Sequence, residues 1–201
     1  MKIIAVTDDK MEHNQLLNTL LAIESSIDAV IIREKSKMDS EVIALIQHLM
    51  ESGFDSTKLI VHGRTTIASS TGIKKVQLPG YDVPLTLLKK QFPAISFGRS
   101  VHSLNEAETA YKAGADWILY GHLFETSSKV GLPPRGTEEL FQIVESLPIP
   151  VYAIGGIEPY HLPQLKQSGV AGVAVMSSIF SSDNPEISTI AYKDASHVAT
   201  S

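Results

Sequence analysis

Residues 117–135 read W-I-L-Y-G-H-L-F-E-T-S-S-K-V-G-L-P-P-R. An apolar run, Trp117–Tyr120, stops at Gly121 and is followed by polar and cationic side chains without helical or strand periodicity. A buried strand that ends at a glycine and opens into a polar loop can carry chemistry in an α/β protein. An ordinary solvated loop has the same composition, so the interpretation depends on whether the rest of the chain repeats this unit.

The unit recurs along the chain, because short apolar runs alternate with segments of helical periodicity. The runs are Lys2–Val6, Ala29–Ile32, Leu59–Val61, Lys75–Leu78, Ala94–Phe97, Trp117–Tyr120, Pro150–Ile154 and Gly172–Val175. They are apolar without alternation, which is typical of a parallel sheet covered by helices on its faces. Eight such units predict a compact single-domain (β/α)8 TIM barrel, with an open doubly wound sheet as the alternative.

The composition narrows the class of protein. With 201 residues, the chain is long enough for one barrel domain over 1–201, with a frayed tail expected at 194–201. The net charge of −5 argues against nucleic-acid binding, and the absence of cysteine excludes disulfides and thiolate chemistry. No apolar run approaches the roughly 18 residues of a membrane span, and the first residues do not resemble a signal peptide. We therefore expect a cytoplasmic protein that binds neither nucleic acid nor a membrane.

In such a barrel the functional groups lie at the carboxyl ends of the strands. Cationic, histidine and hydroxyl side chains follow several predicted strands: Arg33, Lys35, His62, Arg64, Arg99, Ser100 and Lys129. They predict a positive mouth suited to an anionic small molecule, although pairing with local carboxylates is the alternative. The acidic residues near strand ends have no spacing that requires a shared ion, so no metal site is predicted.

Two segments rich in small residues predict a phosphate site. I-G-G-I, residues 154–157, follows the seventh predicted strand, and V-M-S-S, residues 175–178, follows the eighth. Small residues let the backbone approach an anion, and a helix that begins at Ser177 directs free N–H groups at it. The loops after these two strands are a common phosphate site in TIM barrels. The alternative is that the glycines only turn the chain and the serines only cap a helix.

His122 is our candidate for proton transfer. It directly follows a buried strand, and an imidazole near neutral pH can accept a proton from one atom and donate one to another. His62 and His102 occupy similar positions after other strands and are rival candidates. For each of them the alternative is a hydrogen-bonded structural histidine.

Several segments together resemble the thiamin phosphate synthase superfamily over nearly the whole chain. They are I-I-R-E-K (31–35), G-R-S-V-H-S (98–103), G-A-D-W-I-L-Y-G-H-L-F-E-T (114–126), Lys129, A-I-G-G-I (153–157) and G-V-A-V-M-S-S (172–178). The resemblance implies a compact (β/α)8 barrel with a thiazole phosphate held near the last strands. The residues implied for that site are Thr126, Ser127, Ser128, Lys129, Gly155, Gly156, Met176, Ser177 and Ser178.

The chain departs from the synthase pattern after three strands. Synthases usually carry N-D-R or N-D-D after the third strand, Gly-Gln ahead of a second metal-binding acid after the fourth, and G-P-x-F after the sixth. Here these positions hold His62-Gly63-Arg64, Pro79-Gly80 with Asp82 beyond it, and G-H-L-F. The loss of a magnesium-binding acid, together with the gain of a histidine, resembles the thiazole tautomerase (TenI-type) branch.

That branch implies an isomerase that aromatises a carboxythiazole phosphate by moving a proton from ring carbon 2 to the exocyclic carbon. His122 would be the acid/base group, and such a group contributes about 10²–10⁴-fold in rate. The resemblance implies no cofactor and a small anionic phosphorylated thiazole as the substrate. Contacts to the substrate carboxylate or ring are expected from Arg33, Lys35, His62, Arg64 and Ser100.

Three other functions stay open at this point. One is thiamin phosphate synthase itself, a transferase that joins thiazole phosphate and pyrimidine pyrophosphate. The second is a non-enzymatic regulatory protein that retains the barrel and the phosphate pocket. The third is another phosphate-binding isomerase on the same barrel. The oligomeric state is also open, with a homodimer as one option.

Overall fold

A closed barrel of eight parallel strands organises the computed structural model, which describes residues 1–80, 83–126, 131 and 133–198. Each strand pairs with the next along the chain, and the last pairs with the first. The strands are β1 (Lys2–Val6), β2 (Ala29–Ile32), β3 (Leu59–His62), β4 (Lys75–Leu78), β5 (Ser96–Val101), β6 (Trp117–Gly121), β7 (Val151–Ile154) and β8 (Gly172–Val175). The predicted (β/α)8 barrel is confirmed, and the open doubly wound sheet is excluded.

Helices surround the barrel and connect its strands. They are α1 (His13–Ile23), α2 (Asp39–Glu51), α3 (Thr65–Thr71), α4 (Leu85–Gln91), α5 (Leu104–Lys112), α6 (Glu138–Ser146), α7 (Leu162–Gln167), α8 (Ser177–Phe180) and α9 (Pro185–His197). Short 3-10 turns cover Glu24–Ser26, Ser56–Lys58 and Pro159–His161. In the described part of the chain, no helix combines the length and the apolarity that a membrane crossing requires.

Side-chain caps fix the beginning of several helices. The Ser103 hydroxyl accepts a hydrogen bond from the backbone N–H of Glu106 at the start of α5. At the start of α9, the Asn184 side chain accepts from the N–H of Ile187 and a proline occupies the first helical position. Helix α9 continues to His197, so residues 194–197 are helical, whereas we expected them to belong to a frayed tail.

The core has two parts, one on each side of the barrel wall. The larger part lies between the strands and the helices, and the smaller part fills the inside of the barrel. The inner cluster consists of Ile4, Val6, Ala29, Ile31, Ile60, Leu119, Tyr152 and Ala174. Because successive residues of a strand point to opposite faces, both sides of the wall are apolar and the strands show no alternation in sequence.

Strand β5 lies further along the chain than the apolar pattern predicts. We expected it at Ala94–Phe97, with Gly98-Arg99-Ser100 beyond its end, but the strand runs from Ser96 to Val101. The glycine and the two polar residues are therefore part of the barrel wall. This shift places Ser100 on the strand itself, with its side chain at the barrel mouth.

Candidate active site

A cavity of about 270 Å³ opens at the carboxyl ends of the strands, and all eight strands or their following loops contribute to it. Its floor is apolar and is formed by Val6, Ile31, Leu119 and Ala174. Polar residues form its wall in two groups, which we name by their composition. The glycine side consists of Thr126, Gly155, Gly156, Met176, Ser177 and Ser178, and the cation side consists of Arg33, His62, Gln77, Ser100 and His102.

Most of the residues that the sequence assigned to the site line this cavity. They are Arg33, His62, Ser100, His122, Thr126, Gly155, Gly156, Met176, Ser177 and Ser178. Lys35 and Arg64 do not line it, and contribute instead to a small neighbouring cavity behind His62. The predicted phosphate-binding residues Ser127, Ser128 and Lys129 lie outside the described residues.

The glycines of the glycine side are required by another part of the chain. The φ angle of Gly155 is +105°, and a Cβ atom there would lie 2.5 Å from the Cβ of His122. At Gly156, where φ is +63°, a Cβ atom would overlap the carbonyl oxygen of Glu125. The loop after β6 therefore lies directly against these two residues, and this close approach accounts for their identity whether or not an anion also binds there.

The loop after β6 is held by main-chain hydrogen bonds. The N–H groups of Leu123 and Phe124 donate to the carbonyls of Ile154 and Gly155 at 3.0 and 2.9 Å. On its return the loop pairs with itself, because Arg135 N–H donates to the carbonyl of His122 at 3.1 Å. Leu123 and Phe124 thus extend the β6–β7 pairing, and the returning end of the loop pairs with this extension.

His122 is only 5% exposed, and its ring contributes to this arrangement. Its Nε2 atom lies 3.0 Å from the carbonyl oxygen of Pro133. A carbonyl oxygen only accepts, so Nε2 carries the hydrogen and donates it. One ring nitrogen of the expected acid/base group is therefore engaged in holding the loop.

The serine part of the glycine side adjoins a carboxylate. Helix α8 is four residues long, so few aligned peptide dipoles contribute at its start. The Ser178 hydroxyl donates to Glu158 Oε1 at 2.9 Å. Tyr192 also donates its hydroxyl hydrogen to the carbonyl of Ile157 at 2.7 Å, and burial raises the pKa of this tyrosine to about 12. An anion bound here would have Glu158 as a close negative neighbour.

On the cation side, the ring of His62 lies among positively charged side chains. Burial is the main cause that lowers its pKa to about 4, and the charges of Lys35, Arg33 and Arg64 lower it further. The imidazole is therefore neutral near pH 7. It can accept a hydrogen bond from an uncharged group or donate one to it, while the positive electrostatic potential around it attracts anions.

Arg64 holds the loop that carries the other two cations. One guanidinium nitrogen, Nη2, donates to the carbonyls of Glu34, Lys35 and Lys37 at 2.9, 3.3 and 2.8 Å. The other, Nη1, forms an ion pair with Asp39 at 3.1 Å. Arg64 thus acts on the site through the β2–α2 loop, although the sequence suggested a direct contact with substrate.

Arg99 was also expected to contribute charge to the mouth, and it has a similar structural role. Its side chain is 8% exposed and donates to the carbonyls of Pro79 and Val83 at 2.7 and 3.2 Å. It therefore fixes the described ends of the β4–α4 loop.

The resemblance to synthases implies a magnesium ion, which takes oxygen ligands. At the position after β3 the chain supplies an imidazole, a glycine and a guanidinium, none of which is an oxygen donor through its side chain. Among the residues that the structure describes, no group of three His, Asp or Glu side chains could hold a metal ion, and Asp82 is outside them. The described residues directly after β3 therefore supply no side-chain oxygen ligand for magnesium.

Sequence reasoning missed one residue of the cavity wall, Gln77. It lies in the middle of β4 and is fully buried. The signal was present, because a single amide interrupts an otherwise apolar end of the strand, V-Q-L at 76–78.

Comparison with known proteins places this geometry in context. The sequence profile of the family described as Thiamine monophosphate synthase matches residues 3–179. The chain is 31% identical to thiamine-phosphate synthase of Pyrococcus furiosus over 92% of its own length and 89% of the relative, and 29% identical to that of Pyrococcus abyssi over 94% and 91%. The solved structure of thiamine phosphate pyrophosphorylase from Pyrococcus furiosus superposes with a TM-score of 0.81 at 30% identity, covering 96% of this chain and 94% of that one.

A more distant structure shares only the fold. A 3-hexulose-6-phosphate synthase superposes with a TM-score of 0.78 at 15% identity, over 97% of this chain and 99% of that one.

The comparisons correct the expected activity. We expected an isomerase, a thiazole tautomerase with His122 as its acid/base group, but these curated relatives are named synthases, which are transferases. The expectation gave too much weight to the substitutions at single positions.

Proposed function

Because the chain belongs to the thiamine monophosphate synthase family, we propose that it is a transferase of thiamine biosynthesis that joins a thiazole phosphate to a pyrimidine pyrophosphate. A bond forms between the two ring systems, and pyrophosphate leaves. The observation that carries this proposal is the similarity to named synthases over about nine-tenths of the chain, with 31% identity to one of them.

The two sides of the cavity suit the two substrates. The glycine side would hold the thiazole phosphate through backbone N–H groups and the hydroxyls of Thr126 and Ser177, which line the cavity. Ser127, Ser128 and Lys129 are assigned to the same phosphate by the family resemblance. The apolar floor between the two sides offers a surface for flat, uncharged rings.

The cation side would hold the pyrophosphate. Arg33 lines the cavity, and the positive charges of Lys35 and Arg64 also act on the ring of His62. Negative charge grows on the pyrophosphate as its bond to the pyrimidine breaks, so fixed cations at this place stabilise the transition state more than the bound substrate.

The test is to measure thiamin phosphate and pyrophosphate formation from the two phosphorylated halves, with and without added magnesium. We expect the two products in equal amounts. The Arg33→Gln variant should lower kcat/KM by about 10²-fold, the size typical of one electrostatic contact to developing charge. Lys112→Ala, which changes an exposed cation on α5, should retain the wild-type rate.

The proposal has a definite contrary outcome. If the wild-type protein forms no product above the rate without protein, while calorimetry detects binding of thiazole phosphate and pyrophosphate, the pocket binds ligands without catalysing the transfer. The non-enzymatic alternative would then replace the transferase.

A further inference from the structure

Gln77 is a fully buried amide inside a barrel whose inner surface is otherwise largely apolar. The strand register places it in one row with Gly98 of β5 and Trp117 of β6. A Cβ atom at Gly98 would overlap the indole of Trp117 and lie 2.6 Å from Gln77 Oε1. The absence of a side chain at Gly98 therefore lets the indole cross β5 and reach the amide.

Two partners fix which way the amide points. Trp117 Nε1 donates to Gln77 Oε1 at 2.8 Å, and an indole N–H can only donate. Gln77 Nε2 donates to the carbonyl of Leu78 at 3.2 Å, and a carbonyl can only accept. A flipped amide would oppose donor to donor and acceptor to acceptor, so the orientation follows from chemistry and does not depend on how the oxygen and nitrogen were assigned.

The fixed amide determines the role of Ser100. The second hydrogen on Gln77 Nε2 is donated to Ser100 Oγ at 3.0 Å, which makes the serine hydroxyl an acceptor on that side. The hydroxyl has one hydrogen of its own, and it cannot donate it back to the amide nitrogen. Ser100 lines the cavity near the end of β5, on the same side as Arg33 and His62.

We propose that Trp117 and Gln77 form a buried relay that holds Ser100 as a hydrogen-bond donor to an oxyanion of the ligand on the cation side. Gln77 is a positioning residue, because it acts on the ligand through Ser100. Assigning that oxyanion to the pyrophosphate of a substrate rests on the proposed function. The relay itself concerns any phosphate oxygen that binds beside Arg33.

The test removes the amide at position 77 and keeps the length of the side chain. In Gln77→Met there is no N–H for Ser100 to accept, so the hydroxyl hydrogen is no longer held toward the ligand. Inorganic pyrophosphate is the probe, and calorimetry measures its affinity at pH 7. We expect Gln77→Met and Ser100→Ala each to weaken binding by about tenfold, the loss of one hydrogen bond to a charged group.

The double variant separates a relay from a charge effect. If Gln77 acts through Ser100, Gln77→Met in the Ser100→Ala background adds less than about twofold. If the change only loosens the barrel, the two losses multiply to about 100-fold and the relay is wrong. Thermal unfolding shows whether each variant is folded, and Trp117→Phe, which frees the amide to turn over, replaces Gln77→Met in the same cycle if the latter does not fold.

This experiment is independent of turnover. Coupled losses in a protein that forms no thiamin phosphate support the relay and reject the transferase. Product formation with independent losses supports the transferase and rejects the relay. If the wild-type protein does not bind pyrophosphate, the relay to an oxyanion is rejected.

Discussion

The two sides of the cavity are built by different means. On the glycine side, main chain lies against main chain, and residues 155 and 156 are glycines because the loop after β6 occupies the space of their side chains. On the cation side, side chains hold a loop, because Arg64 donates to three carbonyls of the β2–α2 loop. The first arrangement depends on the absence of atoms and the second on the presence of charge, so substitutions should affect them differently.

The largest effect is expected from Gly155→Ala on the glycine side. The new methyl group would collide with the backbone and Cβ of His122, and the positive φ adds further strain, so we expect a loss of about 4 kcal/mol in the free energy of unfolding. Urea denaturation measures it. The matched control is Gly63→Ala, next to His62 of the cation side, where φ is +70° but the atom nearest to the new Cβ would be 3.9 Å away. That change should lose only about 1 kcal/mol. Equal losses would show that conformation, and not contact, dominates at both positions.

A smaller loss is expected from Arg64→Met, which removes the guanidinium but keeps much of the stem. The carbonyls of the β2–α2 loop lose their donor, and we expect about 2 kcal/mol lower stability in urea denaturation. Pyrophosphate affinity should fall as well, since Arg33 lies in the loop region that Arg64 holds. Arg64→Lys should not restore either property, because one ammonium nitrogen on a shorter side chain cannot contact both the loop carbonyls and Asp39, which two guanidinium nitrogens share in the native protein. Full rescue by lysine would mean that only the charge matters.

The pH dependence of stability gives a third test of the cation side. The pKa of His62 is lowered to about 4 in the folded state, below the ordinary value of 6.5, so the unfolded chain binds a proton more readily. The contribution of the neutral imidazole to folding stability is present above pH 6.5 and is lost as the pH falls toward 4. As the pH is lowered from 7 to 4, the free energy of unfolding of His62→Gln should rise by about 2 kcal/mol relative to that of the wild type. His197→Gln, at the exposed end of α9, controls for loss of an imidazole, and parallel curves for wild type and His62→Gln would contradict the prediction.

The smallest effect is expected from Glu158, a carboxylate that places negative charge beside the glycine side. Glu158 accepts from Ser178 on the glycine side, and a glutamine can accept the same hydrogen bond without the negative charge. We expect Glu158→Gln to raise the affinity for thiazole phosphate about twofold at low ionic strength, and less at high salt. Calorimetry at two salt concentrations measures this, and a weaker affinity would indicate that Glu158 positions Ser178 for the ligand.

The sequence predicted the barrel well because the fold depends on a pattern repeated eight times. An error at one strand, such as the displaced β5, does not change the architecture when the neighbouring strands are correct. The position of the site also followed from the pattern, since strand ends converge in a barrel. His62, Ser100 and His122 accordingly line one cavity.

The partners of individual side chains could not be read from the sequence. Arg64 and Arg99 looked like ligand-binding cations, but their guanidinium groups donate to carbonyls from loops distant in sequence. Gln77 looked like part of an apolar strand because its partner, Trp117, is 40 residues away. The predicted activity was wrong for a different reason. It rested on substitutions at a few positions, whereas the similarity to named synthases extends over about nine-tenths of the chain.

The pairing of Leu123 and Phe124 with β7 also determines how fast the amide hydrogens of this loop exchange with solvent. A loop held by main-chain bonds to a barrel strand opens only when that pairing breaks, so its amide hydrogens exchange with solvent at the rate of the strand and not at that of a surface turn. The segment around His122 then belongs to the same cooperative unfolding unit as β6 and β7. A segment that opens this slowly forms a rigid wall of the cavity, so any adjustment to a bound ligand falls to the side chains on the cation side.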